Sequence, residues 1–251
     1  MTTCACTDPG TVWSGTPTGT EIVLTGLNPP MAAYLATPPD GVALQGVVLF
    51  ITDIFGIFRA NPRLWCDRLA LKGFAVVAPD FFRGGAFAAD TPLTPDAFMP
   101  WLARFPRESV MPDAEAAAAY ARAAYPGLPV SAAGFCWGGL YVALLAGGDA
   151  PLIDAGVMLH PSLLAPADVA AIARPVFVGT NGEDQQVPDA FREEIKLSLA
   201  SKPFPTATQH WEDMRHGWTL RGDDKDPAIA AAAEEAFERA AGWLGVHGSK
   251  S

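Results

Sequence analysis

The chain has 251 residues, half of them apolar, which is enough to bury a sizeable core, and α/β folds of this length commonly form one domain. A formal net charge of −10 argues against a nucleic-acid partner, which would need a concentrated basic surface, yet one or two local arginines could still hold an anionic small substrate. Cys4, Cys6, Cys66 and Cys136 are spaced as neither a disulfide framework nor a zinc set, and Met1–Trp13 lacks the basic and apolar regions of a signal peptide, so a cytoplasmic protein with reduced thiols and no membrane anchor is expected.

Residues 1–20, rich in Thr, Gly, Pro and Ser, read as an irregular surface arm. Glu21–Gly26 and Met31–Ala36, separated by Asn28-Pro29-Pro30, read as a short antiparallel pair at a sheet edge. Gly46–Ile51 is a continuous apolar run, the pattern of a strand buried on both faces of a parallel sheet, and it ends at Thr52-Asp53-Ile54-Phe55-Gly56. Asn61–Lys72 has helical spacing with Gly73 as its stop, and Phe74–Ala78 is a second buried strand. The Ala/Pro-rich segment to Pro112 is expected to form a loop and short helices near a site mouth, and Asp113–Tyr125 an alanine-rich helix.

At Val130 a β-type run enters Gly134-Phe135-Cys136-Trp137-Gly138-Gly139 and leaves as a helix. The uncharged stretch Ser131–Gly148 nears membrane length, but its turn and five glycines make it strand, elbow and buried helix rather than a span. Ala155–His160, Pro175–Gly179 and Thr206–Trp211 follow as strands, with helices at Pro188–Ser201 and Pro227–Leu244. The alternation predicts a single α/β domain over residues 1–251, with a mostly parallel central sheet and helices on both faces. In such sheets chemistry sits at the carboxyl ends of the strands.

The G-x-C-x-G segment is the cysteine form of a nucleophile elbow, a sharp strand-to-helix turn that needs small residues on either side of the nucleophile. Cys136 would sit at a helix N-terminus that favours a thiolate; the plainer reading is a buried core cysteine. A nucleophile needs a base that titrates near neutral pH, and the chain offers four histidines. His216 lies late in the chain, past a final strand, where this architecture places its base. His210 reads as a strand residue and His247 as part of a solvated polar tail, while His160 either lines the pocket or hydrogen-bonds at a strand end. The acid should lie in Thr180–Pro188, with Asp184 the first choice and Glu183 the alternative. The main-chain amides of Trp137 and Ile54 would form the oxyanion hole. Asp53 ends an apolar strand, where a buried charge needs a partner, and should touch the Cys136 region.

Taken together, Thr52-Asp53-Ile54-Phe55-Gly56, Pro79-Asp80-Phe81-Phe82, the elbow, the Gly182–Pro188 loop and His216-Gly217-Trp218 resemble the dienelactone hydrolase family over about residues 30–245. The resemblance implies an α/β-hydrolase fold, a Cys136–Asp184–His216 triad, hydrolysis of small lactones and esters, and no cofactor or metal. It also implies a thiol that is neutral at rest and becomes a thiolate when substrate displaces an acidic side chain from it. Family members hold a substrate carboxylate with arginines, and Arg83 and Arg221 fall near those positions. The bacterial pattern has Glu where this chain has Asp53, one methylene shorter. The arm and the His160-Pro161-Ser162 turn look more like fungal-type relatives. A carboxylic ester or lactone hydrolase is therefore expected, as monomer or homodimer, with a broad esterase or thioesterase, or a hydrolase-like binding protein, as alternatives.

Overall fold

A computed structural model of the protein describes residues 9–25, 27–92, 94–182 and 184–249. In chain order its elements are β1 (Thr20–Leu24), β2 (Met31–Ala36), β3 (Gly46–Ile51), α1 (Ala60–Leu71), β4 (Phe74–Pro79), α2 (Pro95–Leu102), α3 (Arg107–Ala124) and β5 (Val130–Phe135). They continue with α4 (Trp137–Leu145), β6 (Gly156–Leu159), α5 (Pro166–Ala170), β7 (Val176–Asn181), α6 (Asp189–Ala200), β8 (Thr206–Trp211), α7 (Trp218–Arg221) and α8 (Pro227–His247). The strands form one eight-stranded sheet in the order β1-β2-β4-β3-β5-β6-β7-β8. β1 and β2 are antiparallel at the edge, and β3 to β8 run parallel.

Alternation along apolar strands decides the layering. Val47, Leu49 and Ile51 of β3 point into one buried cluster and Val48 and Phe50 into the other, so a strand without a polar residue serves two faces. α3, α4 and α6 contribute to the first cluster, and α1 and α8 to the second. On the second face the Trp65 ring lies 4.9 Å from Phe135 and 4.8 Å from Phe237, both edge-on. Such pairs add about 0.5–1.5 kcal/mol each beyond the area they bury.

The path of the chain sets where the site lies. From β3 it crosses through α1 on one face to β4, and from the neighbouring β5 it crosses through α4 on the other face to β6. The carboxyl ends of β3 and β5 therefore flank a topological switch point, where a crevice opens between diverging connections.

Three details differ from the sequence reading. α3 begins at Arg107 rather than Asp113 and carries Pro112 in its second turn, where a proline gives up one main-chain hydrogen bond and crowds the carbonyl four residues back. α8 continues through His247, whose ring packs on Trp243 at 4.2 Å instead of lying in a solvated tail. The single-turn α7 has too few residues to show a helical period. Among the described residues no helix is long and apolar enough to cross a membrane.

Candidate active site

Cys136 sits between β5 and α4 with φ 52° and ψ −115°, a left-handed conformation that is costly for a side chain with a Cβ. The surrounding glycines make this turn possible. A Cβ on Gly134 would collide with the Gly138 carbonyl, and one on Gly138 with the Ile51 carbonyl at the end of β3. The elbow thus rests directly on the carboxyl end of β3. The Cys136 amide donates to the Leu159 carbonyl at 3.1 Å, which ties the turn to β6 as well.

His216 lies in the turn between β8 and α7, and its Nδ1 is 2.8 Å from Asp184 Oδ2, with both side chains almost fully buried. The other carboxylate oxygen, Oδ1, accepts from the Gln186 amide at 2.8 Å. Asn181, at the end of β7, was not singled out in the sequence. With its amide oriented to suit its neighbours, it donates to Asp184 Oδ2 at 3.1 Å and accepts from the His216 amide at 3.0 Å. Asn181 falls inside the Thr180–Pro188 stretch expected to carry the acid, but no local pattern marked it as a partner of Asp184. The Gly182 amide lies 3.0 and 3.1 Å from the carbonyls of Trp211 and Met214, so the acid loop and the histidine loop are stitched together. Glu183, the alternative acid, lies outside the described residues, as do Cys4 and Cys6.

His216 Nε2 is buried without a hydrogen-bond partner among the described residues, and after burial the charge of Cys136 is the strongest influence on the imidazole. Burial pushes the Cys136 thiol up, but the neighbouring His216 and then the Arg221 charge outweigh it and hold the thiol below its ordinary value. For His216 burial acts downward, yet the Cys136 charge and the Asp184 hydrogen bond overcome it and raise the imidazole to about 10. Both shifts favour a thiolate beside an imidazolium, whereas the resemblance implies a resting thiol kept neutral.

Asp53 explains the difference. Its Oδ1 accepts from the Phe55 amide at 3.0 Å, and its Oδ2 lies 3.1 Å from Arg221 Nε, with both side chains about 4 % exposed. The buried Asp53 charge thus finds its partners in Arg221 and a loop amide, and it bears on the Cys136 thiol only through its charge. The oxygen beside the sulfur is Ser162 Oγ, at 3.6 Å. Asp53 still raises the Cys136 thiol by its charge, but as the weakest of the influences acting there.

Arg221 is thus brought to the site, and Gly217 makes room for it: a Cβ there would strike the guanidinium. The arm holds this element down. Thr11 donates to the carbonyls of Arg221 and Gly222, Trp13 Nε1 donates to Gly222, and Asn61 bridges Thr11 and Leu220. Arg83 is not brought to the site. Its guanidinium pairs with Asp113 at 2.7 Å and takes the carbonyls of Pro29 and Pro30. His160 is fully buried with Nε2 2.7 Å from Thr219 Oγ1, and its ring packs edge-on to His216 at 5.1 Å. Burial, then the charges of His216 and Arg221, push it well below its ordinary value, so it backs His216 as a neutral ring. Ile54 and Trp137 are both buried. The Ile54 carbonyl accepts from Phe87 at 2.9 Å, and Trp137 stacks among Phe81, Phe82 and Tyr141, so the segment after β4 buttresses the site.

The model of the dienelactone hydrolase family matches residues 31–248. The chain is 29% identical over 213 residues to hydrolase pyvD of Aspergillus violaceofuscus, covering 84% of each protein. It is 28% identical over 249 residues to hydrolase tropI of Talaromyces stipitatus, covering 96% of this chain and 94% of that one. The solved structure of dienelactone hydrolase from Anabaena variabilis superposes with a TM-score of 0.66 at 16% identity, over 93% of this chain and 99% of that one, a likeness of fold.

Proposed function

The chain belongs to the dienelactone hydrolase family of carboxylic ester hydrolases, and on that footing we propose that it hydrolyses small lactones and carboxylic esters through a Cys136–His216–Asp184 triad. One observation carries the reading. Three residues far apart in sequence meet at strand ends, with the nucleophile in an elbow at φ 52° and the base 2.8 Å from a buried acid. A chain that only bound a ligand would have no use for this combination.

In this reading the Cys136 thiolate attacks the ester carbonyl, and the developing oxyanion is held by the amides of Trp137 and Ile54. The C–O bond breaks as His216 gives its proton to the leaving oxygen, which frees an alcohol or, from an enol-lactone, an enol. Water then attacks the thioester with its proton taken by His216, the C–S bond breaks, and the electron pair returns to sulfur. Asp184 keeps the proton on Nδ1, so that Nε2 faces the sulfur as the base. Arg221 would attract a substrate carboxylate and draw Asp53 away from it, which gives this pair the family's arginine role that Arg83 is not placed to share. A small-molecule substrate and a reducing, cytoplasmic compartment complete the reading. It is supported by free thiols at Cys66 and Cys136.

A turnover panel tests it: cyclic enol-lactones, aryl esters and thioesters, each with wild type and Cys136→Ala. Enol-lactones turned over faster than simple aryl esters, with all activity lost in Cys136→Ala and an acyl adduct on Cys136 by mass spectrometry, is the expected result. Faster aryl-ester or thioester turnover would make the protein a broad esterase, and turnover surviving in Cys136→Ala would remove the triad.

A further inference from the structure

We propose that Ser162 is a further catalytic residue, whose hydroxyl donates a hydrogen bond to Cys136 Sγ whenever the sulfur carries negative charge. This rests on the reading of Cys136 as the nucleophile. Ser162 Oγ lies 3.6 Å from Sγ, and the residue is only 5 % exposed, so water does not compete freely for the hydroxyl.

The backbone is arranged to put that hydroxyl there. The Ser162 amide donates to the Cys136 carbonyl at 2.9 Å, which clamps the loop after β6 to the nucleophile's own peptide. Pro161 packs on α4 at Gly139, where a Cβ would sit 2.6 Å from the proline Cβ, so only glycine lets the loop come this close. His160 and Leu163, on either side of Pro161-Ser162, have φ of 41° and 63°. Two non-glycine residues in the left-handed region are costly, and a turn that keeps both is over-determined by its surroundings, as functional turns are.

The chemistry calls for a donor at this point. A neutral thiol is a weak acceptor and a thiolate a strong one, so the hydroxyl gains most when the sulfur is charged. The other groups facing the sulfur are His216 from the loop before α7, Arg221 from α7 and Asp53 from the end of β3, with Asp184 behind His216 and neutral His160 beside it. Of these, His216 must hand its proton to the leaving oxygen and take another from water. Ser162 transfers no proton and stays with the sulfur throughout. When water has added to the thioester and the C–S bond breaks, the electron pair goes to Sγ and the hydroxyl meets it there, which lowers the barrier to deacylation.

Ser162→Ala tests the proposal, because alanine keeps the amide-to-carbonyl tie and loses only the hydroxyl. The measurements are the pH dependence of iodoacetamide alkylation, with Cys136 identified as the labelled residue by mass, and kcat and KM for an ester substrate. The alkylation midpoint should rise by about one pH unit and kcat fall roughly tenfold, with KM within about twofold. Ser162→Thr, which restores a hydroxyl, should return both towards wild type. An unchanged midpoint overturns the proposal whether or not kcat falls, since losing a donor to the thiolate must raise the thiol titration. Cys136→Ala in parallel separates the two readings: if it abolishes turnover while Ser162→Ala titrates as wild type, only the Ser162 proposal fails, and if it keeps turnover, the nucleophile itself is wrong.

Discussion

Asp184→Asn replaces one oxygen by an NH2 group and should cost far more than its size suggests. The carboxylate receives three donors: the Gln186 amide on Oδ1 at 2.8 Å, and His216 Nδ1 at 2.8 Å and the Asn181 amide at 3.1 Å on Oδ2. An asparagine has a single acceptor oxygen. If it stays on the Gln186 amide, the new NH2 faces two donors, and His216 relieves the conflict only by presenting Nδ1 as an acceptor. The proton then sits on Nε2, aimed at the thiol, and the ring cannot act as a base. A base held in the wrong tautomer costs on the order of 10⁴ in kcat, or about 5.5 kcal/mol of transition-state stabilisation. Steady-state kinetics on an aryl ester measures it, with His216→Ala and the double variant alongside. The double should lose little more than the worse single, because the two residues act as a unit. Activity of Asp184→Asn within about tenfold of wild type, or additive losses, would refute the reasoning and turn attention to Glu183→Gln.

The remaining predictions concern the thiol and the ion pair beside it. Because Cys136 titrates below an ordinary thiol and burial raises Cys66 well above it, Cys136 should alkylate with a midpoint below that of a free thiol, losing reactivity as pH falls through it, while Cys66 stays unlabelled in the native protein. In His216→Ala the main lowering influence is gone and burial remains, so the Cys136 midpoint should move above the ordinary thiol value; an unchanged midpoint would mean that His216 does not face the sulfur. Arg221→Met leaves the Asp53 carboxylate buried without its partner and should destabilise the fold by about 3–5 kcal/mol in urea unfolding, most of it recovered by adding Asp53→Asn. Equal stabilities of the single and double variants would contradict that coupling. Asp53→Asn alone removes an upward push on the thiol and leaves Arg221 unneutralised, so alkylation near neutral pH should quicken even if turnover falls; a slower reaction counts against the role given to Asp53.

The layered sheet was legible because burial on both faces leaves a one-dimensional mark. Strands such as Gly46–Ile51 and Phe74–Pro79 are apolar without interruption, and glycine or proline punctuates their ends. The elbow was legible for a steric reason, since only glycine fits where a Cβ at position 138 would meet a strand carbonyl, and that need is written as spacing around Cys136. The order of Cys136, Asp184 and His216 along the chain followed from the topology that such a sheet requires. The local sequence carried no sign of which polar side chains would share the crevice. Asp53 could have met the thiol or a loop amide, and the pairing with Arg221 was decided by α7, a single turn held by an arm more than 200 residues earlier in the chain. Arg83 and His160 were equally plausible site residues until the fold took one to Asp113 and packed the other behind His216. Ser162 and Asn181 reach Cys136 and Asp184 through loops whose geometry depends on contacts with other strands and helices. Backbone pattern is a property of neighbours in sequence, whereas side-chain partnership is a property of neighbours in space.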